Sequence, residues 1–223
     1  MQFSFHEKAG EQNIEIIDDL YKYLIKARRH KVDETIPFRN LLDNIIYFYK
    51  IISIDRKKAF LTLESSEEKI VENSNKLHLA WCVVDPKTIE KSIASLNELG
   101  LDKITFIYCE YSQKNFKINF DKLNKILINS SSQCGRSSII KLEEKSSLDE
   151  FLNENPESYI LDFSKKSIDE VSGNIETIIL GCEGGFSNFE RDKFNREKVI
   201  GFKSNLILKS ETAAISAVSK ILI

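Results

Sequence analysis

The sequence predicts an α/β protein with two domains, a small β-rich N-terminal domain and a larger C-terminal domain with a mainly parallel sheet. The first third is rich in β-branched and aromatic residues, which favour strands. The segment SSEEKIVENSNK (65–76) is polar and resembles an exposed linker. After this segment, short apolar runs alternate with helical patterns. We therefore divide the chain into domains at residues 1–72 and 73–223.

The N-terminal domain is predicted to be mostly strands with one helix. In DDLYKYLIKARRH (18–30), the apolar residues recur at helical spacing, and Asp18 or Asp19 is the expected N-cap. The predicted strands are MQFSFHE (1–7), IPFRN (36–40), NIIYFYKIISID (44–55) and KKAFLTLES (57–65).

The C-terminal domain is predicted to alternate strands and helices. LHLAWCVV (77–84) is typical of a strand buried on both faces. The next segment predicts a helix capped by Asp85, with Pro86 in its first turn and Gly100 at its end. Other predicted helices occupy 118–135 and 210–223, and a capping box at SLDE (147–150) opens a short one. The remaining predicted strands are KITFIYC (103–109), SSII (137–140), SYILDFS (158–164), IETIILG (175–181) and KVIGF (198–202).

The composition excludes several classes of protein. A net charge of −2 over 223 residues argues against a uniformly basic nucleic-acid binder, although a local basic patch stays possible. The scattered cysteines predict reduced thiols and a cytoplasmic protein, and the scattered histidines predict no metal site. We find neither a signal-peptide pattern nor an apolar run of about 18 residues, so we expect no membrane association. These residues are Cys82, Cys109, Cys134, Cys182, His6, His30 and His78.

A glycine cluster marks the most informative loop. Three of the eight glycines lie in GCEGG (181–185), between a predicted strand and a capping box formed by Ser187 and Glu190. Ligands bind at this end of strands in open α/β sheets, but the spacing fits neither a dinucleotide fingerprint nor a P-loop. The glycines alone leave a tight turn and a ligand loop equally favoured. A second loop (201–214), leading into a helix with Ser210 as its expected cap, favours a shared pocket.

Three motifs in order carry a family resemblance. They are NELG (97–100) with CEYS (109–112) and QCGR (133–136), then GCEGGF (181–186), then LKSETAA (208–214). Together they resemble the uridine-N3 methyltransferases of 16S ribosomal RNA, of the SPOUT class, from about Leu77 to Ile223. LYKYLIKARRHKVDETI (20–36) more weakly resembles the PUA-like β-barrel of that family.

The resemblance implies a trefoil-knotted C-terminal domain, a homodimer, and S-adenosylmethionine held by three loops. It further implies 16S ribosomal RNA as the substrate, within the small subunit, and methylation of a uridine at N3. The cofactor-binding residues carried over by position are Leu161, Asp162, Phe163, Leu180, Gly181, Cys182, Glu183, Gly184, Gly185, Lys203, Ser204, Asn205, Ile207, Leu208 and Lys209.

Candidate catalytic residues follow from the motifs and from the chemistry. Arg136 of QCGR is expected to end a helix at the surface, where it could stabilise a developing uracil anion or bind a phosphate. By itself, it would more simply be a helix-end cation. Glu183 and Glu211 are candidate bases or orienting groups, with helix N-terminal carboxylates as the alternative, and we assign no general base.

An acid-free basic stretch, KYLIKARRHK (22–31), is the candidate RNA-binding surface, although charge runs are usually only solvated faces. Arg39 and the RKK segment (56–58) add charge to the same domain. The predicted RNA-binding residues are Lys22, Lys26, Arg28, Arg29, Lys31 and Arg136.

Departures from the family pattern keep two alternatives open. Ser137, Ser138 and Leu206 stand where the family has asparagine and basic residues, and Cys182 and Ser204 replace a proline and a glycine. One alternative is therefore an RNA-binding protein of this fold with little or no catalysis. The other is a different nucleotide-using α/β enzyme.

Overall fold

The computed structural model describes residues 2–223, which divide into two compact units. The N-terminal unit contains residues 2–72 together with Ser131–Ser138, and the C-terminal unit contains Asn73–Ser130 and Ile139–Ile223. Each unit has its own buried apolar cluster.

The N-terminal unit is built on a five-stranded sheet. Its strands run in the order β1-β3-β4-β5-β2, and every pair is antiparallel except β1 and β3. Two register shifts interrupt the pairing of β4 with β5, and such irregularities bend a sheet. The strands are β1 (Ser4–Phe5), β2 (Asn13–Ile17), β3 (Thr35–Arg39), β4 (Ile45–Ile54) and β5 (Lys58–Glu68).

The helix of this unit differs from the prediction. Helix α1 spans only Asp18–Tyr21 and continues as a π-helical turn over Lys22–Ala27. Neither aspartate is the N-cap, because the unpredicted strand β2 runs into the helix and places Ile17 at that position without a capping side chain. The wider π turn changes which side chains face inward: Leu24 is buried, while Tyr23 is exposed.

The C-terminal unit contains a six-stranded, fully parallel sheet, which confirms the predicted α/β class. The strand order is β11-β9-β10-β6-β7-β8. The strands are β6 (His78–Cys82), β7 (Lys103–Ile107), β8 (Lys141–Lys145), β9 (Tyr159–Leu161), β10 (Thr177–Leu180) and β11 (Val199–Ile200). The helices are α2 (Pro86–Glu98), α3 (Phe120–Cys134), α4 (Leu148–Glu154), α5 (Asn188–Arg191) and α6 (Ser210–Leu222), and the last four residues of α3 belong to the N-terminal unit.

Two predicted caps are confirmed, and one predicted strand is wrong. Asp85 accepts a hydrogen bond from the Lys87 N–H (3.0 Å), and Ser147 accepts one from the Glu150 N–H. The SSII segment (137–140) is not a strand, and strand β8 begins after it in the charged sequence KLEEK. Strand β8 lies at the sheet edge, where charged residues are tolerated. Its low apolar content is the reason that a search for apolar runs did not predict it.

The expectation that all thiols are reduced is also wrong. Cys82 and Cys109 form a disulfide between the ends of β6 and β7, and both residues are buried. Their separation of 27 residues showed no recognisable pattern in the sequence, and only the parallel pairing of the two strands brings them together. Cys134 and Cys182 are free thiols.

Candidate functional site

Three loops at the carboxyl ends of adjacent strands enclose a cavity of about 620 Å³ in the C-terminal unit. The loops follow β9, β10 and β11, which lie side by side in the sheet. This volume is typical of small-molecule sites, which combine apolar walls with a few polar groups. The walls here include Leu180, Phe186 and Leu208, with backbone atoms of the glycine loop between them.

Most of the predicted cofactor-binding residues line this cavity, and a few do not. Lys203 and Asn205 are not part of the lining, and neither is Glu211, which was predicted as a catalytic residue. The predicted cofactor-binding set missed eight lining residues: Ser164, Phe186, Arg191, Gly201, Phe202, Leu206, Ser210 and Ala213. The predicted residues that do line the cavity are Leu161, Asp162, Phe163, Leu180, Gly181, Cys182, Glu183, Gly184, Gly185, Ser204, Ile207, Leu208 and Lys209.

The glycine loop is a tight turn that also forms a cavity wall. The Gly185 N–H donates to the Cys182 carbonyl (2.9 Å), and Gly185 has φ +69°, a conformation that side chains disfavour. The predicted capping box is confirmed, because Ser187 and Glu190 bond each other's backbone at the start of α5. The buried Glu190 carboxylate also accepts the Glu110 N–H (2.9 Å), which fixes the CEYS turn beside the loop.

Gly201 lies where two backbone segments come too close for any side chain. A Cβ at Gly201 would lie 2.8 Å from the Ser164 carbonyl oxygen and 3.1 Å from that of Asp162. The Gly201 N–H donates to the Lys166 carbonyl (2.9 Å), and the Gly201 carbonyl accepts from the Ile168 N–H (2.9 Å). The segment after β9 is therefore fastened directly to the end of β11.

A buried hydrogen-bond chain ties the glycine loop to α6. The Trp81 indole N–H donates to the Ser210 hydroxyl (2.8 Å), and that hydroxyl donates to the Gly181 carbonyl (2.7 Å). The prediction that Ser210 caps α6 is wrong, because its hydroxyl is committed to Gly181 and the N-cap position belongs to Lys209. Sequence spacing gives no signal for a contact between residues 81 and 210.

An ion pair crosses one side of the cavity. The Arg191 guanidinium donates to both carboxylate oxygens of Asp162, at 2.6 and 3.2 Å. The Asp162 carboxylate, above all, raises the pKa of Arg191. Burial raises the pKa of the Cys182 thiol, which makes Cys182 an unsuitable nucleophile.

The three candidate catalytic residues have different surroundings. Glu183 is exposed and lines the cavity, whereas Glu211 lies in the first turn of α6. Arg136 is in the N-terminal unit and is only 5% exposed, so the expectation of a surface residue is wrong. Its Nε donates to the Ser138 hydroxyl (3.2 Å), and the segment after it turns back to pair Ser137 with Val71.

The predicted RNA-binding residues of the basic stretch are all exposed on the N-terminal unit: Lys22, Lys26, Arg28, Arg29 and Lys31. Arg28 donates from Nε and Nη2 to the Tyr23 hydroxyl, at 3.1 and 2.9 Å, and its guanidinium stacks on that ring. Lys22 pairs with Asp19 (2.9 Å). Arg39 adds no surface charge, because it is buried and donates to the Lys69 carbonyl.

Within residues 2–223, no helix is long and apolar enough to cross a membrane. In the same part of the chain, His, Cys, Asp and Glu side chains form no group of three or more that could hold a metal ion.

Comparisons with known proteins find similarity to RNA methyltransferases. Residues 71–222 match the family model of the RNA methyltransferase domain. The chain is 36% identical over 222 residues to the ribosomal RNA small subunit methyltransferase E of Helicobacter pylori, and the match covers 98% of both chains. It is 27% identical to the enzyme of that name from Rickettsia conorii, covering 96% of this chain and 91% of the relative.

Two solved structures share the fold. A candidate methyltransferase from Legionella pneumophila, in complex with the cofactor SAM, superposes with a TM-score of 0.77 and 27% identity, covering 99% and 95% of the two chains. The ribosomal RNA small subunit methyltransferase E of Neisseria gonorrhoeae, bound to S-adenosyl methionine, gives a TM-score of 0.81 at 15% identity and 98% and 95% coverage. At that identity, the second likeness concerns the fold alone.

Proposed function

The chain belongs to the ribosomal RNA small subunit methyltransferase E family, and from this premise we propose that it methylates N3 of one uridine in 16S ribosomal RNA, with S-adenosylmethionine as the methyl donor. The observation that carries the proposal is the cavity formed by the three loops, which is built from the family's GCEGGF and LKSETAA segments. The matched relatives support methylation of small-subunit ribosomal RNA, and the uridine and its N3 position are the finer part of the proposal.

The cavity suits S-adenosylmethionine in size and chemistry. Apolar side chains such as Leu180 and Leu208 offer walls for an adenine ring, and the turn at Gly181–Gly185 brings bare backbone to the wall. Glu183 places an exposed carboxylate at the same cavity, where it would favour a ligand carrying positive charge, whereas the Asp162 carboxylate is already paired with Arg191. The donor supplies an electrophilic methyl group on a sulfonium centre.

The protein must present the uracil to that methyl group and allow the N3 proton to leave. Correct alignment of the two reactants can contribute several kcal/mol, on the order of 7–11 kcal/mol in favourable cases. Glu183 is the candidate base or orienting group because it is exposed and lines the cavity. Glu211, which does not line the cavity, and Arg136 stay in the proposal as candidates, and the burial of Arg136 favours a structural role for it.

The N-terminal unit would bind the RNA backbone. Arg28, Arg29 and Lys31 are exposed, and none of the ion pairs found in residues 2–223 involves any of them. Phosphate contacts need cations of this kind, and they provide affinity rather than sequence specificity. The specificity for one uridine would then depend on the methyl-transfer site.

The finer structural assignments belong to the same proposal. The close crossing of Gly201 with the 162–168 segment supports a trefoil knot in the domain from residue 73 onward. The curled five-stranded sheet supports a PUA-like domain over residues 1–72. We also propose a homodimer that acts in the cytoplasm on the assembled small subunit.

Methyl transfer to unmodified RNA tests the proposal directly. The protein is incubated with labelled S-adenosylmethionine and either 16S ribosomal RNA or 30S subunits that lack the modification, and the labelled nucleoside is then identified. We expect N3-methyluridine at one position, with more product from 30S subunits than from free RNA. Label in another nucleoside would refute the N3 assignment.

Calorimetry with S-adenosylhomocysteine separates the remaining alternatives. Binding without any methyl transfer would favour an RNA-binding protein of this fold, in which Leu206 stands at the cavity in place of a family cation. Absence of binding would favour a different nucleotide-using enzyme.

A further inference from the structure

The exposed apolar side chains of the C-terminal unit are concentrated around the cavity. Phe163, Leu206 and Ile207 line it and are largely exposed. Tyr111, which is 54% exposed, lies against the glycine loop. Single exposed apolar residues are common on protein surfaces, whereas several of them around one cavity are typical of a binding surface.

Tyr111 covers the outer face of Gly184. A Cβ added at Gly184 would lie 3.2 Å from Tyr111 Cβ and 3.3 Å from its Cδ2, so the ring and the loop are in direct contact. Tyr111 is nevertheless 54% exposed, so about half of the residue stays accessible to solvent. Tyr111 therefore presents an accessible aromatic surface next to the loop that forms the cavity wall.

The backbone on both sides of Tyr111 is held firmly in place. The Glu110 N–H donates to the buried Glu190 carboxylate (2.9 Å), the Ser112 N–H donates to the Cys109 carbonyl (3.1 Å), and Cys109 forms the disulfide with Cys82. A ring on a fixed turn loses little further freedom when a ligand packs on it. The backbone that carries the exposed ring is therefore fixed.

The charges near Tyr111 indicate what kind of group can pack on it. Glu110 precedes Tyr111 in the chain and Glu183 precedes the contacted Gly184; both are exposed, and the cation of Arg191 is already paired with Asp162. A phosphate would be repelled at this point, whereas an uncharged planar base would not. Bases stack on aromatic side chains with about 1–3 kcal/mol per base, and sequence-specific RNA recognition targets unpaired bases of this kind.

We propose that Tyr111 is the stacking platform for an unpaired base of the RNA substrate, either the target uracil or its direct neighbour. This inference rests on the proposed function, because it needs a base brought to the cavity. Tyr111 is thus a positioning residue: it holds the base over the glycine loop and takes no part in proton transfer.

Three variants test the platform. Tyr111→Leu keeps an apolar side chain but loses the aromatic face, whereas Tyr111→Phe keeps the ring. Phe189→Leu removes another exposed aromatic side chain and is the matched control. The measurements are single-turnover kcat/KM for 16S ribosomal RNA at saturating S-adenosylmethionine, calorimetric affinity for S-adenosylhomocysteine, and molecular mass by light scattering. We expect Tyr111→Leu to lower kcat/KM about tenfold or more. Tyr111→Phe should restore most of it, and cofactor affinity and mass should stay unchanged.

Three outcomes would overturn the platform. Equal kcat/KM for wild type and Tyr111→Leu would show that no base stacks there. An equal loss of cofactor affinity would make Tyr111 a support for the glycine loop. A change of mass would make it a contact between copies of the chain. Failure of the wild-type protein to methylate RNA would instead refute the proposed function, so the two failures are distinguishable.

Discussion

The cavity of the C-terminal unit and the arginines of the N-terminal unit differ in what determines their roles. The cavity depends on backbone geometry, because Gly185 has a positive φ and Gly201 has no room for a side chain. The arginines depend on burial: Arg28 and Arg29 are exposed, while Arg136 is buried. A glycine cluster indicates a local backbone constraint that can be predicted from the sequence. The identity of an arginine does not indicate whether its side chain is buried or exposed.

A side chain at the Gly201 crossing should have the largest effect on the protein. Gly201→Ala places a Cβ 2.8 Å from a backbone oxygen that cannot move aside, so we expect a loss of about 3 kcal/mol in unfolding free energy. Chemical denaturation measures this change in the free energy of unfolding. Gly173→Ala is the matched control, because a Cβ there meets nothing within 4 Å. Equal stability of the two variants would show that the close approach at Gly201 does not limit the stability of the fold.

Arg136→Ala should give the next largest effect, and mainly on stability. The residue is 5% exposed and donates to Ser138, and hydrogen bonds of charged groups contribute about 1.5–3 kcal/mol, so we expect a loss of about 2 kcal/mol. Arg136→Lys should recover only part of it, because a point charge cannot replace the planar guanidinium. Thermal melting and single-turnover methyl transfer are measured together.

The opposite result for Arg136 would restore its catalytic role. In that result, the melting temperature is unchanged and methyl transfer falls about a hundredfold. A hundredfold loss of rate is expected when one preorganised electrostatic donor is removed. That outcome would remove the contrast between the two units, since a buried arginine would then act like a site residue.

How much the sequence predicts differs between the same two regions. The parallel sheet, the Asp85 cap and the loop between β10 and α5 were predictable, because apolar runs, caps and glycines act over a few residues. The Trp81–Ser210–Gly181 chain and the Arg191–Asp162 pair were not, because each joins residues that are distant in sequence. Strand β8 and the burial of Arg136 were missed for the related reason that edge position and burial are tertiary properties.

Gly184→Val tests the glycine loop without the backbone clash of Gly201. Its side chain would press on Tyr111, 3.2 Å from the added Cβ, and would displace the glycine loop that lines the cavity. We expect affinity for S-adenosylhomocysteine to fall about tenfold, or about 1.4 kcal/mol, with a smaller loss of stability. Gly173→Val is the control in the same calorimetric titration. Unchanged affinity would mean that the loop does not contact the cofactor.

Reversal of Arg28 and Arg29 should give the smallest effect, and one that depends on salt. These arginines are exposed, so their replacement by glutamate should leave the melting temperature and cofactor affinity unchanged. RNA affinity should fall by about a factor of ten at low salt, and the slope of log affinity against log salt should become shallower by about one or two, because fewer counterions are released.

Arg56→Glu with Lys57→Glu makes the same change of charge on an exposed turn of the same unit. If both double variants lose the same affinity, the RNA responds only to the total charge of the unit. A larger loss for Arg28 and Arg29 would assign the phosphate contacts to the basic stretch, and an unchanged slope would reduce that stretch to a solvated surface.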